Sequence, residues 1–113
     1  MPLTIINGPF IRAGESLSEP IDCTAGQVVR ITMPGAWDGD AVLSFQFSTD
    51  GILYNDMFTP EGKEVMLRVV PGTGVPLSAD KTFSIAWIKF RSGHRDGPIV
   101  QSAEREFAVA LLT

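Results

Sequence analysis

The sequence predicts an all-β fold: a single antiparallel β-sandwich or jelly roll of about seven to eight strands, with an N-terminal arm. Three observations predict it. Apolar residues recur at period two through most of the chain, the spacing of half-buried strands. No segment carries a sustained 3.6-residue apolar stripe with caps. The chain also has 11 Gly and 8 Pro in 113 residues, which suits many turns between short strands. Its length fits one domain, divided into an arm at 1–9 and a sandwich at 10–113. A hydrophobic share of 44% excludes a disordered chain.

The elements follow in order. Pro2 to Pro9 reads as an arm, because Asn7-Gly8-Pro9 interrupts any strand. Phe10 to Ala13 and Leu17 to Cys23 read as two short strands around Gly14. In Gln27 to Met33, Val29, Ile31 and Met33 share one face, and Val28 falls on the polar one. Ala41 to Ser48 alternates more cleanly, with Leu43, Phe45 and Phe47 against Ser44, Gln46 and Ser48. Ser48-Thr49-Asp50-Gly51 and Thr59-Pro60-Glu61-Gly62 are turns, with Gly free to take positive φ. Glu64 to Val70 is a strand with Val65, Leu67 and Val69 on one face, and Pro71 to Pro76 ends it. Thr82 to Arg91 is the longest candidate. Its phase slips between Phe83-Ile85-Trp87 and Ile88-Phe90, which has two readings: first a β-bulge near Trp87-Ile88, with Lys89 and Arg91 then facing solvent, and second a strand covered on both faces, as at an oligomer interface. Ser92 to Pro98 reads as a loop, and Arg105 to Leu112 as the closing strand with Phe107, Val109 and Leu111 in phase.

Charge and composition narrow the function. Thirteen acidic against nine basic side chains give a net charge of −4 without a Lys/Arg cluster, so nucleic acid is not the expected partner. No apolar run approaches the length of a membrane span, and Met1-Pro2-Leu3-Thr4 lacks the basic start of a signal peptide. The single Cys23 cannot form an internal disulfide and reads as a buried, reduced thiol, which points to a chain made in a cytosol.

Catalytic chemistry finds little purchase. His94, the one histidine, lies in Ser92-Gly93-His94-Arg95-Asp96-Gly97, where Asp96 could orient it as a base, or where it is a plain loop residue. One Cys and one His do not make a zinc site. Asp38, Asp40 and Asp50 could supply oxygen ligands to calcium, but an Asp-Gly turn explains the same residues. Phosphate-loop, dinucleotide and nucleophile-elbow motifs are missing from the sequence. No cofactor and no catalytic residue are expected. Trp37 and Tyr54, if exposed on loops, would stack on a sugar ring; if buried, they fill the core.

The stretch from Leu43 to Met57, with Ser48-Thr49-Asp50-Gly51-Ile52-Leu53-Tyr54 at its turn, resembles a recurring hairpin of virion-associated β-sandwiches. Ala86 to Gly93, Ile11 to Ser18 and Arg105 to Val109 add to the likeness. Together they resemble small structural proteins of tailed phages and prophages of alphaproteobacteria, over roughly Phe10 to Leu111. The hairpin is also similar to that of discoidin-like sugar- and lipid-binding sandwiches, which are usually longer and often joined end to end by a disulfide.

The phage resemblance implies a non-enzymatic virion protein. The first expectation is a capsid decoration (cement) subunit on the head; a tail or fibre-attachment component is the alternative. It implies the major capsid protein as partner, a homo-oligomer, and assembly in the bacterial cytoplasm. The glycan-binding module built on Trp37 and Tyr54 remains the alternative from another class. Candidate partner contacts are Leu3, Ile5 and Ile6 in the arm and Val70, Val75 and Leu77 around the Pro71 to Pro76 loop, with Val28 and Met66 as apolar residues on polar faces.

Overall fold

The computed structural model describes residues 2–77 and 85–113. Among them it forms ten strands and no helix: β1 (Leu3–Ile11), β2 (Ile21–Asp22), β3 (Gln27–Thr32), β4 (Val42–Ser48), β5 (Asn55–Asp56), β6 (Met66–Arg68), β7 (Gly74–Pro76), β8 (Trp87–His94), β9 (Gly97–Pro98) and β10 (Arg105–Leu112). Two antiparallel sheets result. The first has the order β1-β10-β3-β7; the second runs β2-β8-β4-β5, with β6 also on β4 and β9 on β8. The count exceeds the expected seven to eight because β2, β5 and β9 are two-residue pairings.

The predicted alternation sets which side chains meet between the sheets. Ile31, Phe107, Val109 and Leu111 come from the first sheet, and Leu43, Phe45, Ile88 and Phe90 from the second; all are buried. Three aromatic rings pack edge to face, Phe90 on Phe107 across the layers and Phe45 on Phe90 within the second sheet. Phe45 and Phe90 lie 5.4 Å apart, and Phe90 and Phe107 5.2 Å. Such pairs add about 0.5–1.5 kcal/mol each beyond the area they bury.

Three local expectations give way. The expected arm at 1–9 is not separate over its described residues, since Leu3–Ile11 is one strand along β10. Asn7-Gly8-Pro9 does interrupt the pairing, but as a register shift between Asn7 and Phe10 with Gly8 at φ 140°. A bulge lets the strand resume, so Ile6 and Ile11 both reach the core.

The phase slip near Trp87-Ile88 is no bulge either. From Trp87 to Ser92, β8 pairs with β4 one to one. Ile88 and Phe90 point inward, and Trp87, Lys89 and Arg91 form the outward row. Phe83 and the start of that predicted strand lie outside the described residues. The bulge sits instead in β3, where Ala110 faces Arg30 and Leu111 faces Val28, leaving Val29 as the extra residue. That extra residue turns Val28 inward to 2% exposure, although alternation assigned it to the polar face.

Finally, Ser92 to Pro98 is a hairpin of β8 and β9 and not an open loop, with His94 opposite Gly97. Ser92 N–H donates to Ser16 O at 2.7 Å, and Ile99 N–H donates to Ser92 O at 2.8 Å. Those bonds keep the backbone paired through a polar sequence.

Candidate functional site

The turn after β4 presents the two most exposed large apolar side chains among the described residues, Ile52 at 85% and Leu53 at 68%. Its backbone is held by side chains of its own sequence. Ser48 Oγ accepts the Gly51 N–H at 2.9 Å and donates to Asp50 Oδ1 at 3.0 Å. Asp50 Oδ1 in turn accepts the N–H groups of Ile52 at 2.8 Å and Leu53 at 3.0 Å. These donors, Ile52 N–H foremost, hold the Asp50 carboxyl below its usual range. Gly51 takes φ +78°, and a Cβ there would meet the Trp87 indole at 3.2 Å. So the sequence Ser-x-Asp-Gly fixes the turn twice, by its hydrogen bonds and by the one residue type that fits over Trp87.

The same segment continues across the outer face of β8. Tyr54 lies under Lys89 Nζ, 4.3 Å from the ring centroid. Asp56 and Glu64 close on Arg91, which is only 7% exposed. Arg91 donates to Asp56, to Glu64 Oε2 at 3.3 Å and to Ser44 Oγ at 3.3 Å. Arg95 Nε adds a contact to Asp56 Oδ2 at 3.0 Å, and the Arg95 N–H donates to Glu64 Oε2 at 2.9 Å. The Arg91 hydrogen bond is the main reason the Asp56 carboxyl is held below its ordinary value. Arg91, expected to face solvent, is thus the buried centre of a four-residue charge cluster.

The other predicted residues scatter. Leu3 at 57% and Ile5 at 64% are exposed on the outer face of β1, whereas Ile6 packs against the core. Val70 is exposed, but Val75 and Leu77 are partly buried against the core, because Val75 pairs beside Ile31. Met66 is exposed on the outer face of β6. Trp37 lies edge to face with Phe107 at 5.8 Å. The Trp37 Nε1 and the Tyr54 hydroxyl are interior, with no hydrogen-bond partner among the described residues. The two rings are also separated by the length of β4: Trp37 precedes Val42, and Tyr54 follows Ser48. They do not form one sugar platform.

The proposed ligand groups are likewise apart or engaged. Asp38 accepts the Ser102 N–H and pairs with Arg105 at 3.4 Å, so its carboxyl is lowered and committed. Gln101, fully buried, ties that corner together: its Oε1 accepts the Asp38 N–H and Arg105 Nε–H, and its Nε2 donates to Ser92 Oγ at 2.8 Å. Asp50 serves its own turn at the far end of β4. Among the described residues no cluster of three or more His, Cys, Asp or Glu side chains could hold a metal ion. Burial, with Asp22 adding, pushes the Cys23 thiol up to about 11, so it stays protonated near neutrality. It follows Asp22, beside Trp87 at one end of β8, and His94 is at the other end. His94 and Asp96 are exposed.

Sequence reasoning identified the Ser48 to Gly51 turn but missed Ile52 and Leu53. The available signal was two adjacent apolar residues directly after a Gly turn, where alternation had already ended. No protein-family model, curated protein or solved structure matches this chain. No helix among the described residues is long and apolar enough to cross a membrane.

Proposed function

We propose that this chain is a non-enzymatic structural protein of a tailed-phage virion, in the first place a capsid decoration subunit that binds the major capsid protein on the head surface. Its two sheets are read as the jelly-roll variant of a sandwich, assembled in the bacterial cytoplasm. The observation that carries the reading is the self-bonded turn that holds Ile52 and Leu53 out in water. That turn lies in the hairpin whose sequence resembles virion-associated sandwiches. A rigid turn loses little conformational entropy when it docks. Burying both side chains against a partner contributes about 3–5 kcal/mol before docking costs. The acidic groups fit the same reading, since Asp38, Asp50 and Asp56 spend their oxygens on backbone and arginine donors.

The test is co-sedimentation of purified protein with phage particles stripped of it, separated into heads and tails. Stoichiometric binding to heads is the expected result. Binding to tails assigns the alternative tail or fibre-attachment role, and binding to neither removes the virion reading. Titration with glycans, followed by tryptophan fluorescence, then addresses the sugar-binding alternative.

A further inference from the structure

Among the described residues, the edges of the two sheets are unequal. In the first sheet one edge is β7, three residues ending in Pro76, which has no N–H to offer. In the second, β2 is two residues long, ends in Asp22 and follows Pro20, and β5, β6 and β9 have two or three residues each. Short, charged or proline-broken edges resist pairing with other chains. The remaining edge is β1, nine residues long. Among the described residues it pairs with β10 alone.

The register shows which part of β1 is open. Thr113 N–H donates to Pro2 O at 3.2 Å, and pairing runs one to one from Leu3↔Leu112 to Asn7↔Ala108. Antiparallel ladders bond every second residue, so Thr4 and Ile6 bond to β10. The N–H and C=O groups of Leu3, Ile5 and Asn7 therefore point away from it. Beyond the Gly8-Pro9 shift the edge is covered, since the Glu19 N–H donates to Phe10 O at 3.3 Å. The open ladder is thus Leu3 to Asn7. It displays Leu3 and Ile5 on its outer face. From Pro2 to Ile11 there is no charged residue, in a chain of net charge −4.

We propose that the chain self-associates by antiparallel pairing of β1 with β1 of a second copy, about a two-fold axis at Ile5. The inference does not rest on the virion reading. An antiparallel strand is complementary to itself about such an axis. Ile5 faces Ile5 of the second copy, and Leu3 faces its Asn7. Each outward donor meets an outward acceptor, giving about six backbone hydrogen bonds. The two four-stranded sheets merge into one continuous sheet. A strand without charge meets its copy without repulsion, while the acidic surface elsewhere disfavours contact. The Ile5 side chains abut beside a shallow groove of about 230 Å³ whose lining includes Ile5, Arg30, Thr32, Ala108 and Ala110.

The experiment is sedimentation equilibrium of the purified chain from micromolar to near-millimolar concentration, with amide hydrogen exchange at both ends of the range. The expected result is a dimer, with protection at Leu3, Ile5 and Asn7 that appears only at high concentration. Ile5→Pro removes an outward N–H and no bond to β10. It should raise the dimer dissociation constant roughly a hundredfold and leave the monomer folded. Thr4→Pro, which breaks a bond to β10, should lower the melting temperature instead. If Ile5→Pro fails to fold, Ile5→Lys places two ammonium groups at the axis and makes the same test. A monomer throughout the range overturns the proposal, as does a dimer that survives either Ile5 variant. No phage particle enters this measurement, so its failure is separate from failure of the virion reading.

Discussion

On the outer face of the second sheet, the row Trp87, Lys89 and Arg91 is covered residue by residue: Gly51 lies against Trp87, Tyr54 beneath Lys89, and Asp56 and Glu64 around Arg91. On the outer face of the first sheet, Leu3 and Ile5 stand in water on the edge strand, while Ala110, paired with Ile5, is buried. The second sheet's face is thus closed by a turn, a tyrosine ring and the protein's own charges, whereas on the first sheet's face two apolar side chains of the edge strand stay exposed. The difference comes from connection length. Segment 49–65 leaves β4 and must return to it as β6, so it lies along the second sheet, while β1 is a bare edge. Polar side chains on the closed face therefore carry stability, and apolar ones on the open face and the turn are available for partners.

The largest effect should come from opening the closed face. Arg91→Met keeps the aliphatic stem and removes the guanidinium, leaving Glu64 and Asp56 crowded without their main counter-charge. Breaking a buried pair this way costs about 3 kcal/mol, at the lower end of its range because Arg95 still reaches Asp56. Urea denaturation at neutral pH measures it. A loss below about 1 kcal/mol would mean the cluster is not what seals the face.

Acid should unpick the same cluster. The Asp56 carboxyl is held below its ordinary 3.8, chiefly by the Arg91 hydrogen bond. The unfolded chain binds that proton first, so the contribution of Asp56 is fully present above the ordinary carboxylate range. It is lost as pH falls through the lower folded value. Melting temperatures of the parent chain should fall along this limb. Asp56→Asn should start lower at neutral pH and fall less steeply, and parallel curves for the two proteins would refute the assignment.

How much of this was legible depends on how local the cause is. The alternation of Leu43, Phe45 and Phe47, or of Phe107, Val109 and Leu111, is a property of neighbours in sequence, and the strands appear where alternation places them. The bulge at Val29 is not, because it is set by the pairing of β3 with β10, which single-strand periodicity does not contain. Pro9 looked like a chain break, since the bulge that absorbs it depends on Ala108 and Glu106 nearly a hundred residues on. Arg91 looked solvent-facing because its partners Asp56 and Glu64 reach it only through the fold. The Asp50 turn was legible as a turn from Ser48 to Gly51, but its role in aiming Ile52 and Leu53 arises only where the folded turn meets Trp87.

A smaller effect tests the join between the two regimes, where the covered row meets the exposed turn. Gly51→Ala sets a Cβ against the Trp87 indole and forces a side chain into positive φ. The expected loss is about 1–2 kcal/mol, seen as a shift in denaturation midpoint with unchanged slope. Faster amide exchange at Ile52 and Leu53 should accompany it. A neutral result would show that the turn is not pinned by the covered face.

The smallest effect on stability should come from the turn's exposed side chains. Ile52 and Leu53 make their structural contribution through their N–H groups to Asp50, and their side chains are in solvent. Changing both to serine keeps those N–H donors and removes only the apolar surface, so unfolding free energy should stay within about 0.5 kcal/mol per site. Binding to stripped heads should nevertheless be lost, because the double variant forfeits the about 3–5 kcal/mol assigned to their burial, a factor of roughly a hundred or more in affinity. Unaltered co-sedimentation would move the contact away from the turn. A large loss of stability would show instead that the side chains are held against the fold in a way their exposure contradicts.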